Sequence, residues 1–247
     1  MNALVTLTER VVRGTLRDFD LLIAVLAPVS TFIGFTFVLQ NVIDTGEMSY
    51  SQYVLPAIVV QSILFGALTT ADRASKDEST GFGRRVRTLP VPTLMPLMAR
   101  MLYCLIRSAV VVLASVVVAY PFGFRLGGGA FYTAAFVVLA LVLALALSLG
   151  ADAVGTYVKR VDASSQLLLI PLLALVLLST GMAPAEAFPS WVQPFVTAQP
   201  VSVVTETMRG FTDGSVSGAS LAASVAWCVG LLAVFGSIAL RLQRRTA

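Results

Sequence analysis

Histidine is absent from this 247-residue chain, which removes imidazole metal ligands and the usual proton shuttle of triad chemistry. Cysteine occurs only twice, at Cys104 and Cys228, each inside an apolar run. Two thiols so far apart make neither a zinc site nor a redox motif, and they read as small hydrophobic side chains. Charge is scarce too: Asp, Glu, Lys and Arg are 12% of the residues, against about 25% in an ordinary soluble domain. No Gly-x-x-x-x-Gly-Lys-Ser/Thr phosphate loop occurs. Gly127-Gly128-Gly129 lacks the lysine and hydroxyl that such a loop needs. A Gly-x-Ser-x-Gly elbow and paired carboxylates within an apolar run are also missing. The chain alone is therefore expected to hydrolyse no nucleotide, hold no metal or cofactor, and perform no covalent catalysis.

What the chain does have is apolar surface, with 57% of its residues hydrophobic. One water-soluble core of this size could not hide so much, so a bilayer is the expected solvent. Inside lipid the backbone must bond to itself, and about 20 apolar residues do so as a helix. Six such spans are predicted, at residues 21–40, 53–71, 101–120, 131–150, 166–180 and 220–240. The expected fold class is an all-α polytopic membrane protein with one transmembrane domain over residues 1–247. The N-terminal residues, with Glu9, Arg13, Arg17, Asp18 and Asp20, do not resemble a cleaved signal peptide.

Basic residues set the orientation. With the N-terminus inside and six crossings, Arg125 and Arg209 alone among the 17 Lys and Arg residues fall outside. That asymmetry follows the positive-inside rule and puts both termini in the cytoplasm. The net charge of +4 is then mostly a signature of topology and does not advertise nucleic-acid binding. Arg107, inside the third predicted span, is an expensive placement. It reads either as a snorkelling or helix-pairing side chain or as a contact to substrate or lipid headgroup.

The connections carry their own signals. In residues 1–20, Leu4, Leu7, Val11, Val12 and Leu16 recur at helical spacing while Arg10, Arg13 and Arg17 take other positions. That pattern suits an amphipathic helix on the inner membrane surface, as against a disordered arm. Residues 72–100 form the most charged stretch. Its first part can prolong the second span as a polar helix until Gly81 and Gly83 interrupt it. Arg84, Arg85 and Arg87 then begin a short basic element that ends before Pro90 and Pro92. It reads as a handle for a cytoplasmic partner or as a basic loop on anionic lipid. Residues 181–219 are too apolar for a solvated loop and too rich in proline for a span. Two short re-entrant helices in the outer leaflet fit, with Trp191 at the interface. Glu206 and Arg209 share a helix face, as a local ion pair or as part of an outer gate. Sparse polar groups within the spans, such as Gln61 and Ser62, argue against a hydrated pore.

Two groups of residues carry a family resemblance. The first is Tyr53-Val54-Leu55-Pro56 with Gln61, the charged stretch to Gly81, and Leu89-Pro90. The second is Pro184, Phe188-Pro189-Ser190-Trp191, Gln199-Pro200, and Glu206 with Arg209. In this order the chain resembles the ABC-2 type permeases, and among them the daunorubicin-resistance type of exporter subunit. Pro56-Ala57 stands where the family more often has Pro-Gly. The resemblance implies a six-helix half-transporter of the bacterial inner or plasma membrane. It would pair with a second copy or a homologous permease, in contact with membrane lipids. Two copies of a separate ATP-binding cassette subunit would carry ATP and Mg2+. It also implies that Ser75, Lys76, Glu78, Gly81, Arg84, Arg85 and Arg87 meet that ATPase. Phe188, Pro189, Trp191, Pro200, Glu206 and Arg209 would belong to the outer re-entrant gate. The implied activity is ATP-driven export of a hydrophobic or amphiphilic molecule, a drug or a lipid-like compound. The competing expectations are export of polysaccharide or glycolipid, or a scaffold without transport.

Overall fold

Long apolar stretches bounded by polar caps, prolines and glycines leave the backbone little choice but helix. The computed structural model describes residues 19–39, 49–81, 92, 94–158, 161–181 and 183–245, without the side chains of residues 161, 162, 244 and 245. Helix α1 is Asp20–Leu39, α2 is Tyr50–Ser79, α3 is Met95–Ala119 and α4 is Gly129–Val158. Then follow α5, Val161–Leu177, the short α6, Gln193–Ala198, α7, Pro200–Asp213, and α8, Gly218–Arg245. The expected amphipathic arm at residues 1–18 lies outside the described residues, as do Arg84, Arg85 and Arg87.

Local chemistry sets the ends. Ser49 caps α2 by accepting from the Gln52 backbone N–H at 3.4 Å. Gly81, at φ +68°, turns the chain away after α2. Pro96 sits in the first turn of α3, where its missing N–H costs nothing. Gly214, at φ +74°, ends α7 in the left-handed conformation.

Helix α2 is the axis of the bundle. It packs against α1, α3, α4, α5 and α7, and 72% of its membrane-length stretch is buried, against 22% for α1 and 11% for α8. Lipid tails are as apolar as leucine, so close backbone packing has to supply much of the helix association. Ala67 and Ala71 of α2 meet Ala151 of α4. Gly155 of α4 lies directly against the Ala71 carbonyl, leaving no room for a Cβ. Gly34, by contrast, has nothing within 4 Å of where a Cβ would stand, so it mediates no close contact among the described residues.

Among the described residues, five helices are long and apolar enough to cross a membrane: α1, α2, α3 with its following turn, α4 and α8. The chain is thus an all-α, multi-pass membrane protein. Helix α5 is shorter, with its apolar part at Ala163–Leu177. Its ends are nevertheless far apart in the bundle. Ser164 donates to Asp72 near the end of α2 at 3.3 Å, whereas Thr180, just past α5, accepts from Tyr53 near the start of α2.

Helix α2 runs on to Ser79 as a polar extension, and two boundaries differ from expectation: α3 starts at Met95 instead of residue 101, and α4 continues to Val158 instead of stopping at residue 150. The charged stretch of 72–100 is therefore helical at both ends. In each extension a charged side chain that lowers hydropathy finds an ionic partner within the bundle.

Candidate functional site

Polar chemistry collects at the two ends of the bundle. At one end α1 begins, α2 ends, α3 begins and α4 ends. Arg100, in the second turn of α3, donates from Nε to Asp152 Oδ1 at 2.5 Å and from Nη2 to Asp152 Oδ2 at 3.2 Å. Its Nη1 donates to Asp77 Oδ2 at 3.2 Å. Arg100 and Asp152 are buried, at 7% and 1% exposure. A buried ion pair repays its desolvation only with good geometry and satisfied donors, and the two-pronged guanidinium fork provides that. Arg100 thereby closes the base of the connection between α2 and α3 and fastens it to α4.

A second cluster lies on the same helix. Asp20 of α1 accepts from Arg73 Nη2 at 2.9 Å and from the Tyr103 hydroxyl at 3.2 Å. The Arg73 guanidinium also stands 4.1 Å from the centre of the Tyr103 ring. Arg107 Nε is 4.0 Å from the same Asp20 oxygen, and Arg107 Nη1 rests against Gly66 of α2. Arg107 thus does pair helices, which was one of its two expected roles. Cys104 contacts Ser148 of α4 at 2.7 Å between Sγ and Oγ, and both thiols are free and buried.

The residues expected to meet an ATPase divide by exposure. Lys76 is exposed, Glu78 half-buried, and Gly81 forms the turn. Ser75 is fully buried and presents nothing to a partner, because the helical period turns it into the bundle.

At the opposite end Arg209 of α7 is buried. It donates from Nε to the Tyr53 carbonyl at 2.9 Å, and from Nη2 to the carbonyls of Thr180 and Gly181 at 3.1 and 3.2 Å. Its guanidinium lies 3.7 Å from the Tyr53 ring centre. The anticipated pair with Glu206 exists, at 3.3 Å, but Glu206 is 63% exposed, so the carbonyls hold Arg209 more firmly. Gln199, just before Pro200 at the start of α7, donates to the Leu178 carbonyl. Ser202 accepts from the Thr180 backbone N–H at 3.0 Å. Helix α7 is thereby stitched to the frayed end of α5 and to the first turn of α2. Phe188 is half-buried, its carbonyl accepting from Gln193 at 2.9 Å, and the Pro189 carbonyl starts the turn into α6. Trp191 is 83% exposed.

Sequence reasoning did not find Asp20, Asp77, Arg100 and Asp152 as a set, since their pairings cross 23 to 83 positions of chain. Arg209 did carry a signal, being one of two basic residues on its side of the predicted topology. The other, Arg125, folds back on the Tyr120 ring and donates to the Tyr120 and Phe124 carbonyls at 2.6 and 2.8 Å. Among the described residues no group of three or more Cys, Asp or Glu side chains could hold a metal.

A bundle of apolar helices, charged at one end and stitched by a proline-rich segment at the other, matches a known family. The sequence profile of the ABC-2 type transporter covers residues 2–211. The chain belongs to the ABC-2 type transporter family. It is similar to the doxorubicin resistance ABC transporter permease protein DrrB of Mycobacterium tuberculosis, 32% identical over 231 residues, covering 90% of this chain and 79% of that protein. It is also similar to the probable doxorubicin resistance permease DrrC of the same organism, 27% identical, with 92% and 83% covered. The daunorubicin resistance permease DrrB1 of Streptomyces coeruleorubidus is 26% identical, with 89% and 78% covered. As an ABC-2 permease, the chain is the non-catalytic membrane subunit of an ABC exporter, and hydrolysis resides in a separate ABC ATPase.

Proposed function

We propose that this permease forms the membrane path of an ATP-driven exporter for hydrophobic or amphiphilic molecules, drugs or lipid-like compounds. The relatives' names supply the substrate class. The sparse polar residues within the spans support an apolar route over a hydrated pore. The full assembly in this reading has two permeases, as identical or homologous copies, and two ATPase subunits that bind ATP and Mg2+.

Six crossings are part of the proposal, with α5 as the short fifth, α6 and α7 as re-entrant helices and residues 1–20 as a surface helix. The separation of Ser164 from Thr180 supports a crossing by α5. Both termini and the Arg100 end face the cytoplasm of a bacterial inner membrane. The exposed part of the stretch from Lys76 through Gly81 to Arg84, Arg85 and Arg87 docks the ATPase. Phe188, Pro189, Trp191, Pro200, Glu206 and Arg209 form the outer gate.

The observation that carries the coupling mechanism is the Arg100 clamp. Movement imposed on the connection between α2 and α3 cannot stay local, because Asp77, Arg100 and Asp152 join its base to α4. Closure of the ATPases therefore tilts three helices together and changes access to the path between the two permeases. The test is to reconstitute the permease with its ATPase in vesicles and follow ATP-dependent anthracycline movement. Transport should need both subunits and fall when Glu78, Arg84 and Arg85 are replaced together. Full transport by that variant would refute the docking assignment, and ATP-independent transport would refute the exporter reading.

A further inference from the structure

Among the described residues three arginines are buried, and two of them are well satisfied. Arg100 makes three hydrogen bonds to two carboxylates. Arg209 donates to three carbonyls and one carboxylate and stacks on a ring. Arg107 differs from both. Its side chain is only 10% exposed, yet its Nε has no hydrogen-bond acceptor among the described residues. The neighbouring Asp20 oxygen, 4.0 Å away, already takes Arg73 at 2.9 Å and Tyr103 at 3.2 Å. A carboxylate oxygen has about two lone-pair directions to offer, and these two donors use them. A guanidinium held this far from water calls for an acceptor, since burying charge without one is strongly unfavourable.

The surroundings define what that acceptor is. Arg107 lies seven residues beyond Arg100, about 10 Å further along α3 at 1.5 Å per residue. Gly66 leaves α2 bare where Nη1 sits, and any Cβ there would collide with it. Further along α3 from Arg107, toward the membrane centre, Leu113 and Val117 are exposed, and so are Ile23 and Leu26 in the first turns of α1. A charged group at Arg107 thus has apolar side chains beside it on two helices. Arginine matches phosphate with its planar fork and sheds hydration more readily than lysine. Apolar tracks beside a buried guanidinium fit an anion that carries acyl chains.

We propose that Arg107 is a binding site for the phosphodiester headgroup of an anionic membrane lipid, held between α1, α2 and α3 with its chains along Ile23, Leu26, Leu113 and Val117. The lipid stands apart from the transported molecule, so the site does not depend on which compound is exported.

The test uses the complete permease–ATPase complex in nanodiscs of phosphatidylcholine, with or without phosphatidylglycerol, and in phosphatidylcholine with inorganic phosphate added. Native mass spectrometry counts retained phosphatidylglycerol, and thermal unfolding reports its stabilising effect. Wild type should retain the lipid and be stabilised by it. Arg107→Gln should bind it about tenfold to a hundredfold more weakly, the scale of one or two charge-assisted hydrogen bonds. Arg107→Lys, which keeps the charge and helps guard against misfolding, should fall between them. Arg125→Gln should match wild type. Equal lipid retention by wild type and Arg107→Gln would overturn the proposal. So would stabilisation by inorganic phosphate as large as that by phosphatidylglycerol, because the acyl chains would then contribute nothing.

Discussion

Arg100 and Asp152 face each other across α3 and α4 through two parallel hydrogen bonds, 2.5 and 3.2 Å long, in the buried interior of a membrane bundle. Removing one partner leaves the other as an uncompensated buried charge, which costs about 3–5 kcal/mol in comparable pairs. Asp152→Ala and Arg100→Ala should therefore each lower the thermal stability of the purified permease sharply. The double change Arg100→Met with Asp152→Leu should recover most of the loss, because an apolar pair of similar volume needs no desolvation. If the recovered protein assembles with its ATPase but no longer couples hydrolysis to transport, the pair matters for motion beyond its part in folding. A double variant no more stable than either single alanine variant would mean that packing, not charge, holds this joint.

Gly155 and Ala71 make a second joint between α2 and α4. A Cβ on Gly155 would overlap the Ala71 carbonyl, which is backbone and cannot rotate away. Gly155→Ala should cost on the order of 1–3 kcal/mol, the range for overpacking, and Gly155→Val more. Gly34→Ala has open space and should be neutral or mildly stabilising, as expected for Gly to Ala in a helix interior. Melting temperatures of the three variants in one detergent decide it. Equal melting of Gly155→Ala and wild type would show that the helices separate freely at this point.

The helices themselves were legible because length and apolarity are local properties of sequence. Each predicted span corresponds to an observed helix, and the stop at Gly81 follows from a glycine that takes positive φ. The errors sit where charge interrupts hydropathy. Arg100 made the third span seem to begin at residue 101, and Asp152 lay past the expected end of the fourth. Both belong to helices because each neutralises the other, and nothing within a window of either residue announces a partner 52 positions away. Arg107 stood out as a charge in an apolar run, but its half-share of Asp20 depends on how three helices meet. The coupling stretch was recognisable by composition. Its buried and exposed members separate only once the helix has a fixed face.

Arg209 and Glu206 allow the outer segment to be dissected. Because Arg209 owes its place to the carbonyls of Tyr53, Thr180 and Gly181, the local carboxylate is dispensable. Glu206→Gln should change stability by no more than about 0.5 kcal/mol, as for other exposed positions. Arg209→Lys keeps a charge but loses the planar fork that reaches both α2 and the end of α5. Amide hydrogen exchange in residues 178–181 and in α7 should then accelerate, while exchange in α4 stays as in wild type. An unchanged exchange pattern in Arg209→Lys would show that Gln199 and Ser202 suffice to hold α7.

The orientation of the bundle is testable with the chain's own economy of thiols. Cys104 and Cys228 are both buried, so an impermeant maleimide should label the wild-type chain weakly. Lys76→Cys and Trp191→Cys each place a thiol at an exposed position, near opposite ends of the bundle. In intact cells Trp191→Cys should react with the reagent and Lys76→Cys should not. In inside-out vesicles the pattern should reverse. Labelling of Lys76→Cys from the cell exterior would invert the proposed topology and remove the ATPase docking surface with it. Labelling of both from the same side would mean that the helices between them do not carry the chain across the bilayer.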